Sequence, residues 1–224
     1  MTGYGQFCPV AKAMELLDER WTVLVVRELL LGSSHFNELR RGVPRMSPAL
    51  LSKRLQTLTR AGVVARSEVD GRTVYSLTDS GKELIGVIEA LGTWSVRWLG
   101  DLVDRDLDPS ILMWDIRRTI PVEEWPRTRT VLAFQLAGVP PKASRWWLMV
   151  ADGEPDVCDF DPGYDVTATI STDVRALARI WRGDSSWQRS LLDGSVSISG
   201  ASDVRRAVPG WLGQSSLAGV PRPA

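Results

Sequence analysis

The chain has 224 residues, with 27 basic and 27 acidic side chains and a formal net charge of zero. This length suits two domains of roughly 100 residues each, and the zero net charge excludes a protein that coats nucleic acid indiscriminately. Two distant cysteines, one histidine and the lack of a long apolar run exclude a disulfide framework, a zinc site and a membrane span. Without a signal-peptide core, the sequence predicts a cytoplasmic protein.

Three short helices are predicted in the first 42 residues. The stretch CPVAKAMELLDERW (8–21) is expected to form the first, and the apolar stretch WTVLVVRELLLG (21–32), which ends in glycine, the second. The third covers HFNELRRG (35–42), with Ser34 as its expected N-cap.

A fourth helix is predicted from Ser47, the expected N-cap, through Pro48 in the first turn, to an end at Gly62. Its leucines recur at i, i+4 and i+7 and therefore face a core. The opposite, polar face carries Ala49, Ser52, Lys53, Gln56 and Arg60. A solvated surface helix has the same pattern, so the neighbouring elements decide between a surface helix and a binding helix.

The neighbouring elements favour DNA binding, because two short helices followed by this helix form a helix-turn-helix arrangement. After it, VVARSEV (63–69) and TVYSL (73–77) flank Asp70-Gly71, which predicts a two-stranded wing. Between residues 40 and 72 the chain has eight basic and two acidic residues, a local net charge of +6 that is typical of a phosphate-binding surface.

Residue chemistry divides the expected DNA contacts into two groups. Lys53 and Gln56 can hydrogen-bond base edges in the major groove. Contacts to the DNA backbone are expected from Ser47, Arg40, Arg41, Arg45 and Arg72.

A long helix is predicted over DSGKELIGVIEALGTWSVRWL (79–99), with Thr78 as its N-cap. Its apolar positions lie toward one side: Leu84, Val87, Ile88, Leu91, Trp94 and Trp98. This apolar surface exceeds what one small domain can bury, so a second copy is expected to cover the rest and to place two recognition helices on spaced half-sites.

Three stretches together resemble the HxlR branch of the MarR-like winged-helix transcription regulators over roughly residues 6–100: CPVAKAMELLDERWTVLVVRELLLG, HFNELRRGVPRMSPALLSKRLQTLTRAGVVARS and YSLTDSGKEL. The resemblance implies a homodimeric regulator that binds double-stranded DNA sequence-specifically at a palindromic operator. It places Ser47, Pro48, Ala49, Ser52, Lys53 and Arg54 on the recognition helix and Arg72 on the wing.

Cys8 supports two interpretations. Some members of the HxlR branch use this cysteine as a redox sensor, and a helix N-terminus can lower a thiol pKa. The other interpretation is an inert, half-buried thiol at the dimer interface, since Lys12 is the only basic neighbour close in sequence.

The second half is predicted to be an α+β domain with helices on one side of a sheet. The stretch DLVDRDLDP (101–109) reads as a hinge, so we expect a DNA-binding and dimerisation domain at 1–104, a second domain at 105–213 and a loose tail at 214–224. Strands are expected in TVLAFQLA (130–137), VTATIS (166–171) and SVSIS (195–199), and helices in VRALARIW (174–181) and VRRAVPGWL (204–212).

Seven of the ten tryptophans lie in this half, which indicates either a dense core or a cavity for an apolar ligand. Residues 166–212 are similar to the end of sterol carrier protein type 2-like domains, with a strand, a helix, a short helix, a DGxVxxxG strand and a closing helix. That resemblance covers about residues 110–213 and implies a tunnel for lipids and acyl chains. Candidate lining residues, chosen because they are large and apolar, are Trp114, Phe134, Trp147, Phe160, Trp181 and Trp187.

Catalysis is not expected. His35 has no serine and aspartate spaced to serve it, and the acidic stretch DGEPDVCDFDPGYD (152–165) lacks EF-hand spacing. We therefore predict no cofactor and no metal. The leading hypothesis is a winged-helix dimer whose DNA affinity an apolar effector alters, and the alternative is a thiol-based sensor through Cys8 with a structural C-terminal domain.

Overall fold

The computed structural model describes residues 3–99 and 101–222, which form two compact units divided between Trp94 and Ser95. We call these the N-terminal unit and the C-terminal unit. The sequence predicts a boundary after residue 104, whereas the division falls within a helix. None of the helices in the described ranges combines the length and the apolar character needed to cross a membrane.

The N-terminal unit comprises six helices and a β-hairpin. Its last helix continues beyond Trp94 into the C-terminal unit. The elements are α1 (Pro9–Leu17), α2 (Thr22–Leu30), α3 (Phe36–Gly42), α4 (Pro48–Arg60), β1 (Val64–Val69), β2 (Arg72–Leu77), α5 (Asp79–Glu83) and α6 (Ile85–Trp98). The leucine stripe of α4 is buried against α2 and α3, and the centre of this core comprises Val25, Val26, Leu39, Leu51, Leu55 and Leu58.

The predicted start and end of α4 are confirmed. Ser47 Oγ accepts a hydrogen bond from the Leu50 backbone N–H at 3.3 Å, and Pro48 occupies the first turn. At the other end Gly62 has a φ of 74°, which allows the Val63 N–H to donate to the Leu58 carbonyl at 3.0 Å. Local sequence therefore fixes both ends of this helix.

The N-cap of α3 is His35, and the prediction of Ser34 was wrong. Glu38, the third residue of the helix, turns its carboxylate back to accept from the backbone N–H groups of Ser34 at 2.8 Å and His35 at 3.0 Å. Glu38 thus satisfies the backbone N–H groups of the N-cap residue and of the residue before it, as the third helical residue does in a capping box.

The wing is confirmed as an antiparallel pair in which Val69 lies opposite Arg72. Asp70 and Gly71 both have positive φ, 50° and 72°, as the tight turn between twisted strands requires.

The predicted long helix after Thr78 is interrupted at Leu84. Thr78 Oγ1 caps α5 by accepting from the Gly81 N–H at 3.3 Å, as expected. At Leu84, however, ψ is −9° and the N–H bonds three residues back to the Gly81 carbonyl at 3.2 Å, a tighter turn than an α-helix has. The chain therefore forms α5 and α6 in succession.

The C-terminal unit is a five-stranded sheet with helices. Its elements are α7 (Pro109–Thr119), β3 (Thr130–Ala137), β4 (Arg145–Ala151), β5 (Glu154–Cys158), β6 (Ala168–Asp173), α8 (Val174–Trp181), α9 (Trp187–Leu192), β7 (Val196–Gly200) and α10 (Ser202–Trp211). The strand order is β5-β4-β3-β6-β7, with β3 and β6 parallel and the other pairs antiparallel. The core lies where α7, α8 and α10 pack on the sheet.

Strands β4 and β5 were not predicted. In β4 the neighbouring residues Trp146, Trp147 and Leu148 are all buried, so the strand lacks the alternation that indicates a half-exposed strand. β5 is hidden in the acidic stretch 152–165. Val166, expected on a buried strand face, is exposed and precedes the start of β6.

Residues 214–222 are held against the end of α8, in contrast to the expected loose tail. The Ser215 N–H donates to the Trp181 carbonyl at 2.8 Å, and the Gln214 amide donates to the Ile180 carbonyl at 3.0 Å. Because the last carbonyls of a helix have no partners within the helix, they bind this segment.

Candidate nucleic-acid interface

The outer face of α4 presents a short row of polar side chains. Ala49, Lys53, Gln56 and Arg60 are exposed, and Ser52 is half-buried. Lys53 and Gln56 are three residues apart, so they lie next to each other on one face of the helix. Ser47 and Pro48 are exposed at the start of this face. The face can therefore present hydrogen-bond donors and acceptors to a partner.

Exposed basic side chains lie on the elements that precede and follow this row in the chain. Arg40 and Arg41 lie in the last turn of α3, Arg45 lies in the connection to α4, and Arg72 begins the second wing strand; all four are exposed. Arg66 is also exposed on the wing, where its guanidinium bonds Thr73 Oγ1 at 3.3 Å and lies 3.9 Å from the Glu68 carboxylate. The exposed basic residues of 40–72 thus lie on α4 itself and on the elements that precede and follow it in the chain.

Arg54 does not belong to the exposed face, and the prediction that it contacts DNA is corrected. The residue is only 8% exposed, and its Nε donates to the Arg20 carbonyl at 3.2 Å. The guanidinium also forms an ion pair with Glu19. Arg54 follows Leu51 by three residues and precedes Leu58 by four, so its helical phase already indicates the inner face.

His35 connects the wing to the helices, a role that the sequence analysis missed. Its Nδ1 lies 3.2 Å from the Thr73 carbonyl in β2. Because that carbonyl can only accept, Nδ1 carries the proton in this contact. The neighbouring Ser34 carbonyl accepts from the Tyr75 N–H at 2.8 Å. These two bonds hold β2 next to the start of α3.

Glu28 is a fully buried carboxylate behind the connection from α3 to α4. Its Oε1 accepts from Arg27 Nη2 at 2.7 Å and Nε at 3.2 Å. A Cβ at Gly42 would overlap the Glu28 carboxylate, so any larger residue at the end of α3 requires this buried side chain to move. No periodicity of the sequence indicates this pair, since it depends on the approach of α2 to α3.

An apolar stripe on α6 faces solvent. Val87, Leu91, Trp94 and Trp98 follow one another at steps of four, three and four residues, and each is about half exposed or more. Leu84 and Ile88, predicted on the same side, instead pack against the core of the N-terminal unit. The helix is therefore apolar on both its core-facing side and its outer side.

Cys8 is the N-cap residue of α1 and is half-buried. Its nearest basic residue in sequence, Lys12, directs its Nζ to the Glu15 carboxylate at 3.0 Å. The nearest basic side chain in sequence is therefore paired with a carboxylate of its own helix.

Cys158 lies at the end of β5 and is half-buried. Burial raises the pKa of its thiol, with Asp156, Asp159 and Asp161 adding to the increase. The Sγ–H donates to the Phe160 carbonyl at 3.2 Å. A protonated, hydrogen-bonded thiol fits the role of a filler rather than a nucleophile.

The predicted pocket residues fall into three environments. Trp114 and Phe134 are buried in the core of the C-terminal unit, and Trp181 and Trp187 are half-buried against that core. Trp147 is buried too, but it is not part of this core cluster. Phe160 is 66% exposed in the loop after β5 and therefore does not line an interior, which corrects that assignment.

The comparisons with known proteins concern the first half of the chain. Residues 16–102 match the family model of HxlR-like helix-turn-helix proteins. The HTH-type transcriptional regulator YvaP of Bacillus subtilis (strain 168) is 38% identical over 112 residues, which cover 48% of this chain and 96% of YvaP. The chain belongs to the HxlR family.

As an HxlR protein, it is a DNA-binding transcriptional regulator with a winged helix-turn-helix. YodB of Bacillus subtilis (strain 168), another HTH-type transcriptional regulator, is 30% identical over 92 residues, or 39% of this chain and 82% of YodB. The solved structure of reduced YodB is 28% identical, covers 43% of this chain and 100% of that chain, and has a TM-score of 0.38. The resemblance to sterol carrier protein type 2-like domains stays a prediction.

Proposed function

We propose that this HxlR regulator binds a two-fold symmetric operator as a homodimer, with α4 of each copy in the major groove. The observation that carries the proposal is the exposed row on α4, with Lys53 and Gln56 side by side, together with exposed arginines on α3, on the α3–α4 connection and on the wing. An α-helix fits the major groove, where lysine and glutamine can read base edges and arginines can bind phosphates. Arg72 on the wing would contact the neighbouring backbone.

The α6 stripe supports a dimer. In a single copy, two tryptophans, a leucine and a valine would remain in water along one helix face. An apolar patch of this kind marks a protein interface. In a two-fold symmetric dimer, the patch of one subunit packs against the identical patch of the other. A dimer also supplies the two recognition helices that a palindromic site requires.

Replacing Lys53 by alanine tests the base-reading role. We expect the variant to bind a duplex selected from a random pool by the wild-type protein about 1–3 kcal/mol more weakly. Fluorescence anisotropy at several salt concentrations measures this change. Lys82→Ala is the matched control, since Lys82 is an exposed lysine on α5 that pairs with Asp79. Unchanged affinity with an unchanged salt dependence would remove Lys53 from the interface.

For the C-terminal unit, the proposal is an apolar effector that alters DNA affinity. Two features support it: the concentration of tryptophans, and the succession β6, α8, α9, β7 and α10 that the sterol carrier resemblance implies. Half-buried Trp187 also has an Nε1 atom that is buried without a hydrogen-bond partner among the described residues. An effector with a polar head and an apolar body fits such a site.

The thiol alternative concerns Cys8, whose place at the N-terminus of α1 is the observation in its favour. Because Lys12 is paired with Glu15, we expect Cys8 to be unreactive. Hydrogen peroxide should then leave the Kd for the selected duplex unchanged in both the wild type and Cys8→Ser. Release of DNA by peroxide from the wild type and from Cys158→Ser, but not from Cys8→Ser, would establish the alternative.

A further inference from the structure

We propose that Arg54 and Glu19 are positioning residues for DNA reading, which fix the rotation of α4 about its own axis. The inference rests on the proposed function, because it takes α4 as the helix that enters the major groove. Neither residue contacts DNA in this proposal. They act by orienting Lys53 and Gln56 on the opposite side of the helix.

The geometry places the pair directly behind the reading face. Arg54 is adjacent in sequence to Lys53, yet Arg54 is buried while Lys53 is exposed. Two groups from the turn between α1 and α2 hold the guanidinium: the Glu19 carboxylate and the Arg20 carbonyl, the latter 3.2 Å from Nε. Two contacts to one planar guanidinium restrict its orientation more than a single contact would.

The turn that supplies these acceptors is itself ordered by local bonds. The Asp18 N–H donates to the Met14 carbonyl at 3.0 Å, and the Thr22 N–H donates to the Glu19 carbonyl at 3.0 Å. Trp21 has a φ of 80°, a conformation that is uncommon for a large residue, and its ring lies 5.3 Å below the Arg20 guanidinium. The acceptors for Arg54 therefore belong to a turn whose backbone is held by its own hydrogen bonds.

A directional anchor explains why this inner position carries a charge. Exchanging a buried ion pair for apolar side chains is often neutral for stability or even favourable, so stability alone does not account for arginine here. A leucine would pack with less preference for one helix rotation. With side chains reaching about 5–6 Å from the axis, a rotation of roughly 20° moves their ends by about 2 Å. That shift exceeds the spread of hydrogen-bond lengths, so it would disrupt base contacts.

The test compares two duplexes of equal length, one selected by the wild-type protein and one unrelated. Arg54→Met and Glu19→Gln are expected to weaken binding to the selected duplex by at least about tenfold and binding to the unrelated duplex by less than about twofold. The salt dependence should stay the same, because no phosphate contact is lost. The charge swap Glu19→Arg with Arg54→Glu should recover part of the lost affinity. Arg60→Met, on the exposed face, should instead weaken both duplexes and reduce the salt slope.

Equal losses on both duplexes with a smaller salt slope would show that Arg54 contacts phosphate and would overturn the proposal, as would unchanged discrimination. Circular dichroism establishes that each variant is folded. If Arg54→Met unfolds, Arg54→Lys keeps the charge but loses the Nε contact to Arg20, and should still discriminate less well. A wild-type protein that selects no sequence, or a Lys53→Ala variant with full affinity, would refute the proposed function instead.

Discussion

Replacing Leu91 and Trp94 by glutamate is expected to convert the protein into a monomer and to weaken operator binding by about 100-fold or more. Both side chains lie in the exposed stripe of α6. In a dimer, two carboxylates per copy would be buried without partners, which opposes association. Once the copies separate, the two recognition helices are no longer linked and bind their half-sites independently. Such linkage multiplies affinity by about 10²–10⁴.

Sedimentation velocity measures the change in mass, and fluorescence anisotropy measures the change in affinity. Glu89→Arg is the matched control, because residue 89 is exposed on the side of α6 opposite the stripe. It alters the charge of the helix and should leave the dimer and its DNA affinity intact. A double variant that stays dimeric, or a monomer with wild-type affinity, would contradict the assignment of the stripe to the dimer interface.

Replacing Gly42 by alanine is expected to destabilise the N-terminal unit strongly. The new methyl group would overlap the buried Glu28 carboxylate. Overpacking of a core costs about 1–3 kcal/mol. Separating Glu28 from Arg27 would raise the cost toward the roughly 3–5 kcal/mol of a broken buried ion pair.

Urea denaturation followed by circular dichroism measures this effect as a lower midpoint. Gly86→Ala provides the control, since a Cβ at this position in α6 meets no atom within 4 Å. That substitution should stabilise the helix by about 0.5–1 kcal/mol. A Gly42→Ala variant as stable as the wild type would show that the carboxylate can move aside without cost.

Local chemistry accounts for the elements that sequence reasoning predicted well. The Ser47 and Thr78 caps and the Asp70-Gly71 turn depend on neighbouring residues only, and each forms as expected. The start of α3 was misassigned by one residue: His35 is the N-cap, and the Glu38 carboxylate accepts from the N–H groups of both Ser34 and His35. Residue preferences favour serine over histidine as an N-cap, so they did not identify this arrangement.

The candidate site shows the same limit at the level of packing. The exposed row with Lys53 and Gln56 follows from helical periodicity, which also separates it from the leucines. The family motif, however, places Arg54 on the recognition helix without giving its direction. Its helical phase indicates the inner face, but only the structure shows the contacts with the α1–α2 turn that hold it there. His35 and Glu28 also contact residues far away in the chain, and such contacts produce no periodic pattern in the sequence.

In the C-terminal unit, β4 was missed because burial on both faces removes the alternation that identifies a strand. The tryptophans there fit a packed core as well as a ligand site. The Trp125 indole N–H donates to the Trp211 carbonyl at 2.8 Å, and the Trp181 indole N–H donates to Thr119 Oγ1 at 2.9 Å. Composition indicates an aromatic-rich interior, but it does not show what each tryptophan contacts.

Native mass spectrometry of the purified protein mixed with its selected duplex counts the protein copies on DNA and so tests the proposed homodimer. We expect two protein chains on one duplex and a dimer without DNA. A further bound mass of a few hundred daltons would add support for an apolar effector in the C-terminal unit. A monomer that leaves the duplex unbound, or one chain per duplex at full affinity, would contradict a homodimer that reads a two-fold operator through α4.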